Sequence, residues 1–123
     1  MPIQIVLVDD DDLYREVMAA DLEDRGYAVV CFADGPALLA ALQAGLAAEA
    51  ALIDWSLPQM SGLDVLRALR ARGSALPVAF LTGRSRDGHE GQAFEAGAVD
   101  FIDKTCALDE LVQTLARLVG TNP

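Results

Sequence analysis

Four consecutive aspartates, Asp9 to Asp12, follow directly on the apolar run Ile3 to Val8, and a fifth, Asp54, ends the run Ala50-Ala51-Leu52-Ile53 just before Trp55. An acid closing an apolar run is harder to read as an ordinary solvated charge than one inside a polar stretch. Clustered carboxylates repel each other, and a divalent cation relieves that repulsion; oxygen ligands with retained waters suit magnesium. A metal-bound carboxylate beside an amine could accept a phosphoryl group, with the cations neutralising the transferring oxygens. Thr82 and Lys104, each at the end of a further apolar run, would supply a hydroxyl and the amine if the fold brings them there. Taken singly, none of these residues is diagnostic. Asp11 and Asp12 read as first-turn acids, one of them capping a helix; Lys104 reads as a solvated lysine and Thr82 as a β-branched strand end. The chemistry depends on their meeting.

The elements that would make them meet alternate along the chain. Ile3 to Val8 is short, β-branched and apolar on both faces, as a strand covered on both sides must be. Leu13, Val17, Met18 and Leu22 mark a helical stripe that stops at Gly26. Ala28 to Phe32 is a second strand, and Asp34-Gly35-Pro36 starts a helix carrying Leu38, Leu39, Leu42 and Leu46. Ala50 to Asp54 is the third strand, Leu57 to Gly62 a loop, and Leu63, Leu66 and Leu69 the stripe of a third helix closed by Gly73. Leu76 to Leu81 is the fourth strand. A fourth helix within Asp87 to Ala96 is weakened by Gly88 and Gly91, each costing ~1 kcal/mol relative to Ala, and is expected to be the loosest element. Val99 to Ile102 is the fifth strand, and Leu108, Leu111, Val112, Leu115, Leu118 and Val119 form the clearest helical stripe. Five strand–helix repeats imply a parallel sheet with helices on both faces. Right-handed crossovers put all strand C-termini on one edge, where ligands bind. Asp9, Asp10, Asp54, Thr82 and Lys104 all fall at that edge.

Composition narrows the function classes. The 123 residues fit one domain, 53% of them are hydrophobic, and the net charge is −10. That field favours cations and repels nucleic acid, so no direct nucleic-acid contact is expected. No run reaches the ~18 apolar residues of a membrane span, and no signal peptide opens the chain, so a cytoplasmic protein without membrane contact is expected. Cys31 and Cys106 lack neighbouring ligands at metal spacing and read as reduced, partly buried thiols. His89 has no second ligand nearby and reads as exposed.

Three segments resemble the receiver domain of two-component response regulators. They are Ile5-Val6-Leu7-Val8-Asp9-Asp10, then Leu52 to Gly62 with Asp54, Pro58 and Gly62, then Leu81-Thr82-Gly83 together with Gly97 to Lys104. The resemblance runs from Ile3 to Val119. It implies a flavodoxin-like doubly wound α/β fold, (βα)5 with strand order 2-1-3-4-5, and one receiver domain over residues 1–123. It implies that Asp54 takes a phosphoryl group from the phosphohistidine of a sensor histidine kinase or phosphotransfer protein. By the same resemblance Mg2+ is held directly by Asp10 and Asp54, mainly through a water by Asp9, and by the Ser56 backbone carbonyl. Lys104 and the Thr82 hydroxyl bind phosphoryl oxygens, and Phe101 stands where the family often has an aromatic switch residue. The output is a changed face of the fourth helix, fifth strand and fifth helix, met by a downstream effector, a fused output domain or, as a phosphorylation-linked dimer, a second copy. Such a protein is a switch that catalyses only its own phosphoryl transfer and dephosphorylation.

One position departs from the family pattern. Thr105 follows Lys104 where the family usually has a proline after a cis peptide bond. A cis bond before a non-proline residue costs ~3 kcal/mol, so a trans bond and a locally different loop are expected, with the amine still reaching Asp54. Three other readings compete. A pseudo-receiver that only binds partners is disfavoured by the presence of all five site side chains. A flavin-binding module needs a phosphate cradle where four aspartates stand. An aspartyl-nucleophile phosphatase usually has a second Asp where Ser56 stands.

Overall fold

The computed structural model of the protein describes residues 2–83 and 90–120. Five strands, β1 (Ile3–Val8), β2 (Tyr27–Phe32), β3 (Ala50–Asp54), β4 (Val78–Thr82) and β5 (Asp100–Asp103), alternate with α1 (Asp12–Asp24), α2 (Gly35–Gln43), α3 (Gly62–Ala71), α4 (Glu90–Glu95) and α5 (Leu108–Leu118). The strands form one sheet in the order β2-β1-β3-β4-β5, and each neighbouring pair is parallel. This is the expected doubly wound arrangement, with the strand order reversing between β1 and β3.

Successive strand residues point to opposite faces, and the two faces bury different residues. Val6, Val8, Ala51, Ile53, Phe80 and Phe101 pack with Leu38, Val65, Leu66 and Leu69 on the side of α2 and α3. Ile5, Leu7, Leu52, Leu81 and Ile102 pack with Leu22, Leu111 and Leu115 on the side of α1 and α5. Both faces being covered, β3 and β4 are buried at every residue. Helix starts are set locally. Asp11, Asp34 and Ser61 accept from the amides of Tyr14, Ala37 and Asp64 at 3.1, 2.8 and 3.1 Å, each such cap stabilising its helix by about 1 kcal/mol. Of the two first-turn acids, Asp11 is the cap.

Several details differ from the sequence reading: β2 begins at Tyr27 rather than Ala28, and β5 runs from Asp100 to Asp103 rather than from Val99 to Ile102. β4 begins at Val78, not Leu76, because Pro77 has no donor and the Leu76 amide donates to Ser74 Oγ at 3.2 Å. In α1 the buried stripe is rotated by one residue. Met18 and Leu22 face the core with Tyr14 above them, while Leu13 and Val17 are 69% and 51% exposed. Cys31 is exposed because β2 is an edge strand, and Cys106 is half-buried. The expectations about Gly88, His89 and the start of the fourth helix fall on residues 84–89, outside the described ones. Among the described residues no helix is long and apolar enough to cross a membrane.

Candidate functional site

The C-terminal edge of the sheet collects the acids, as parallel strands require. Asp9 follows β1, and its backbone extends the ladder by donating from its amide to the Phe32 carbonyl at 3.1 Å. Its carbonyl accepts from Arg15 Nη1 at 2.6 Å, and Arg15 also pairs with Asp12. The Asp9 side chain is fully buried; Oδ1 accepts from the Asp11 amide at 2.9 Å. Asp10, next along, is exposed, and Asp54 closes β3 in a buried position. Carboxylate oxygens of Asp9, Asp10 and Asp54 lie within 4.8 Å of one another.

Lys104 completes the cluster. Its amide donates to the Thr82 carbonyl at 2.8 Å, which ties it to the end of β4. Its Nζ reaches Asp9 Oδ2 at 2.6 Å and Asp54 Oδ2 at 3.2 Å. The peptide after Lys104 is trans, as are all those among the described residues. The loop is held instead by an Asx-type turn, in which Asp103 Oδ1 accepts from the Thr105 amide at 2.8 Å and from its hydroxyl at 2.7 Å. Thr105 thus fixes by hydrogen bonds a loop that has no proline, and the amine reaches both carboxylates.

Among the described residues three carboxylates face one ammonium here, a net negative set. Burial pushes the Asp54 carboxyl above its usual range, and the Asp9 charge adds to this; the Ser56 amide, donating to Asp54 Oδ1 at 3.1 Å, and Lys104 oppose it. Burial by itself lowers Lys104, but its contacts with Asp9 and Asp54 outweigh that and leave it raised and charged. Among the described residues, buried Asp9 Oδ2 receives no hydrogen bond of good geometry, and its contact there is the charge pair with the ammonium. A buried carboxylate oxygen short of donors, beside two further carboxylates, fits a hard divalent cation.

Thr82 ends β4 in a buried position. Phe101 is turned inward, 1% exposed, with its ring centroid 5.3 Å from Trp55 and 6.2 Å from Phe80. Tyr14 escaped the sequence reading. Its ring centroid is 4.7 Å from Lys104 Nζ, and burial, with the charges of Asp9, Cys106 and Asp54, drives its hydroxyl pKa upward. Its one sequence sign is its place in the first turn of the helix that leaves the acidic run. A wider groove of about 770 Å3, lined by Leu42, Leu46, Leu69, Leu76 and Pro77, lies between the C-terminal ends of α2 and α3 and contains none of this chemistry.

Gly62 lets α3 start against the strand end that carries Asp54. A Cβ there would stand 2.5 Å from the Asp54 carbonyl oxygen and 2.9 Å from Phe80 Cε1, and neither backbone nor packed ring can yield cheaply. Gly62→Ala should therefore lower stability by about 2–3 kcal/mol, read from urea unfolding; an unchanged midpoint would contradict this packing.

Comparison with known proteins agrees with the geometry. The family profile described as response regulator receiver domain matches residues 5–116. Response regulator MprA of Mycobacterium sp. (strain KMS) is 36% identical over 119 residues, which are 97% of this chain and 51% of that protein; the chain spans about half the length of such curated relatives. Among solved structures, the receiver domain of the TMAO respiratory system response regulator TorR superposes with a TM-score of 0.87 at 32% identity, covering 98% of each chain. Chemotaxis response regulator CheY4 of Vibrio cholerae superposes at 0.86 and 26% identity, covering 96% of this chain and 99% of that one. With its sheet order, its acidic edge and these matches, the chain belongs to the receiver domains of two-component response regulators.

Proposed function

We propose that Asp54 is the phosphoacceptor. The observation that carries this reading is a buried carboxylate at the end of β3, within 4.8 Å of two other carboxylates and 3.2 Å from an ammonium. An Asp54 oxygen attacks the phosphorus of a kinase or phosphotransfer-protein phosphohistidine. The P–N bond breaks, its electron pair stays on the imidazole nitrogen, and that nitrogen takes up a proton. Lys104 meets charge developing on the phosphoryl oxygens, and the Thr82 hydroxyl offers a donor from the neighbouring strand end.

Asp9, Asp10, Asp54 and the Ser56 carbonyl would hold Mg2+. When bound, the ion supplies charge neutralisation for the phosphoryl oxygens. The chain's own part is to fix the carboxylates. The Asp11 and Ser56 amides orient Asp9 and Asp54, and burial excludes most water. Phosphorylation is read by the face of α4, β5 and α5, where Phe94 and Val99 are 46% and 51% exposed; such apolar exposure suits a partner surface. Thr82 and Phe101 couple the site to that face. The partner is an effector protein, a fused output domain or a second copy, and this role places the chain in the cytoplasm with the kinase.

Metal binding gives a direct test. Few protein ligands are offered, so Mg2+ should bind in the millimolar to sub-millimolar range and change Trp55 emission. At ten times its dissociation constant it should stabilise the fold by about 1.4 kcal/mol, or roughly 5 °C in Tm. Asp10→Asn should remove both responses. A flat titration to ~50 mM, in fluorescence and in Tm, would count against the site.

A further inference from the structure

Lys104 has a third neighbour besides its two carboxylates. Tyr14 is the third residue of α1, and its amide donates to the capping Asp11 side chain at 3.1 Å. Its backbone is therefore fixed by the same turn that begins at the acidic run. The half-buried ring packs against the α1–α5 side of the core, and Lys104 Nζ lies 4.7 Å from its centroid. A pocket of about 200 Å3 opens beside them, lined among others by Tyr14, Met18, Asp21, Lys104 and Cys106. That space gives the lysine side chain room to turn, and Asp21 offers it a carboxylate other than Asp54.

An ammonium on a flexible four-carbon stem stays at one carboxylate only if its other resting places are worse. The Asp9 contact cannot be the permanent anchor, because the same carboxylate belongs to the acidic cluster that fits a cation. A neutral aromatic face can hold a cation without adding a fourth negative charge to the crevice, and it does so best where the pair is partly withdrawn from water.

We infer that Tyr14 is a positioning residue: its ring face holds the Lys104 ammonium at the Asp54 carboxylate and keeps it from turning into the neighbouring pocket. This rests on the reading of Asp54 as phosphoacceptor and of Lys104 as its partner. The ring, not the hydroxyl, does this.

Two measurements test it on the full chain, with Tyr14→Phe and Tyr14→Leu, both of which keep apolar packing over Met18. By NMR, the Lys104 ε-methylene protons should show a ring-current upfield shift in the wild type and in Tyr14→Phe that disappears in Tyr14→Leu. With acetyl phosphate and saturating Mg2+, the rate of Asp54 labelling should fall about fivefold in Tyr14→Leu and stay within about twofold in Tyr14→Phe, the range expected for a partly desolvated cation–π contact. In a Lys104→Ala background, Tyr14→Leu should cause no further loss of rate. Absence of the ring-current shift in the wild type, a Tyr14→Leu rate equal to wild type, an equal loss in Tyr14→Phe, or an undiminished loss in the Lys104→Ala background would each overturn the inference. A wild-type chain that takes no label at all would instead overturn the Asp54 reading, a result distinct from these.

Discussion

Asp54→Asn should abolish phosphoryl labelling by acetyl phosphate with Mg2+, lowering incorporation at least about a hundredfold, to the level set by removing a covalent nucleophile. The substitution is nearly isosteric, and an asparagine side-chain oxygen can still accept from the Ser56 amide that now donates to Asp54 Oδ1. What is lost is the anionic nucleophile. The neighbouring acids cannot replace it. Asp9 is turned toward the Asp11 amide and the ammonium, and Asp10, Asp11 and Asp12 are exposed. Loss of label would not reflect unfolding. Asp54 is a buried carboxylate beside Asp9, with its protonation favoured by burial, so neutralising it should leave the metal-free Tm unchanged or slightly higher. The same variant should lose most of the Mg2+-dependent rise in Tm, because one of the three clustered carboxylates is gone. Hydroxylamine-sensitive label persisting in Asp54→Asn would transfer the acceptor role to another acid.

The fold was legible because its signals are periodic. Runs such as Ile3–Val8 and Ala50–Asp54 are apolar on both faces, and each is followed by a helical stripe with a capping residue or a glycine at its end. Those patterns arise from burial, which depends on residue type. The site was legible for a related reason: parallel topology sends every strand's C-terminus to one edge, so Asp9, Asp54, Thr82 and Lys104 could be assembled from strand ends alone. Less was visible where a residue's role depends on its angle around a helix or on its reach. Leu13 and Val17 have the composition of a core stripe, yet α1 is turned so that Tyr14, Met18 and Leu22 face inward. Tyr14 carries no sequence sign of its role beyond its place in the first turn of α1, because only three-dimensional packing sets its ring under an amine ninety residues away in the chain. The loop after Lys104 was foreseen as trans, but not that the Asp103 side chain would hold it through the Thr105 amide and hydroxyl. The Asp9–Lys104 contact was not foreseen either, since strand-end reading places residues at an edge without saying which of several acids an amine meets first.

That contact sharpens what Lys104→Ala should do. The ammonium is 2.6 Å from Asp9 Oδ2 and 3.2 Å from Asp54 Oδ2, so in the metal-free protein it occupies part of the charge deficit that a divalent ion would fill. Removing it takes away a cation in direct contact with two of the carboxylates that would hold the ion. Even in bulk water a unit charge about 4 Å from a divalent ion is repelled by about 2 kcal/mol, and the flexible lysine withdraws to lower that repulsion, so without it Mg2+ should bind tighter by about fivefold. Stability should move the other way. Asp9 is fully buried and loses the ammonium paired with it, and breaking such a pair costs about 3–5 kcal/mol when both groups are enclosed; with Lys104 still partly in contact with solvent, about 2 kcal/mol is expected. Saturating Mg2+ should return most of that loss, so the metal-dependent rise in Tm should be larger in Lys104→Ala than in the wild type. Phosphorylation should nevertheless weaken, by about tenfold or more, because the charge developing on the phosphoryl oxygens loses its fixed cation. Tighter metal binding together with slower labelling separates a role in transfer from a role in holding the ion. Weaker Mg2+ binding in Lys104→Ala would mean that the lysine supports the metal site. Unchanged labelling, with an unchanged Trp55 response to acetyl phosphate, would remove Lys104 from the chemistry and favour a receiver fold that only binds partners.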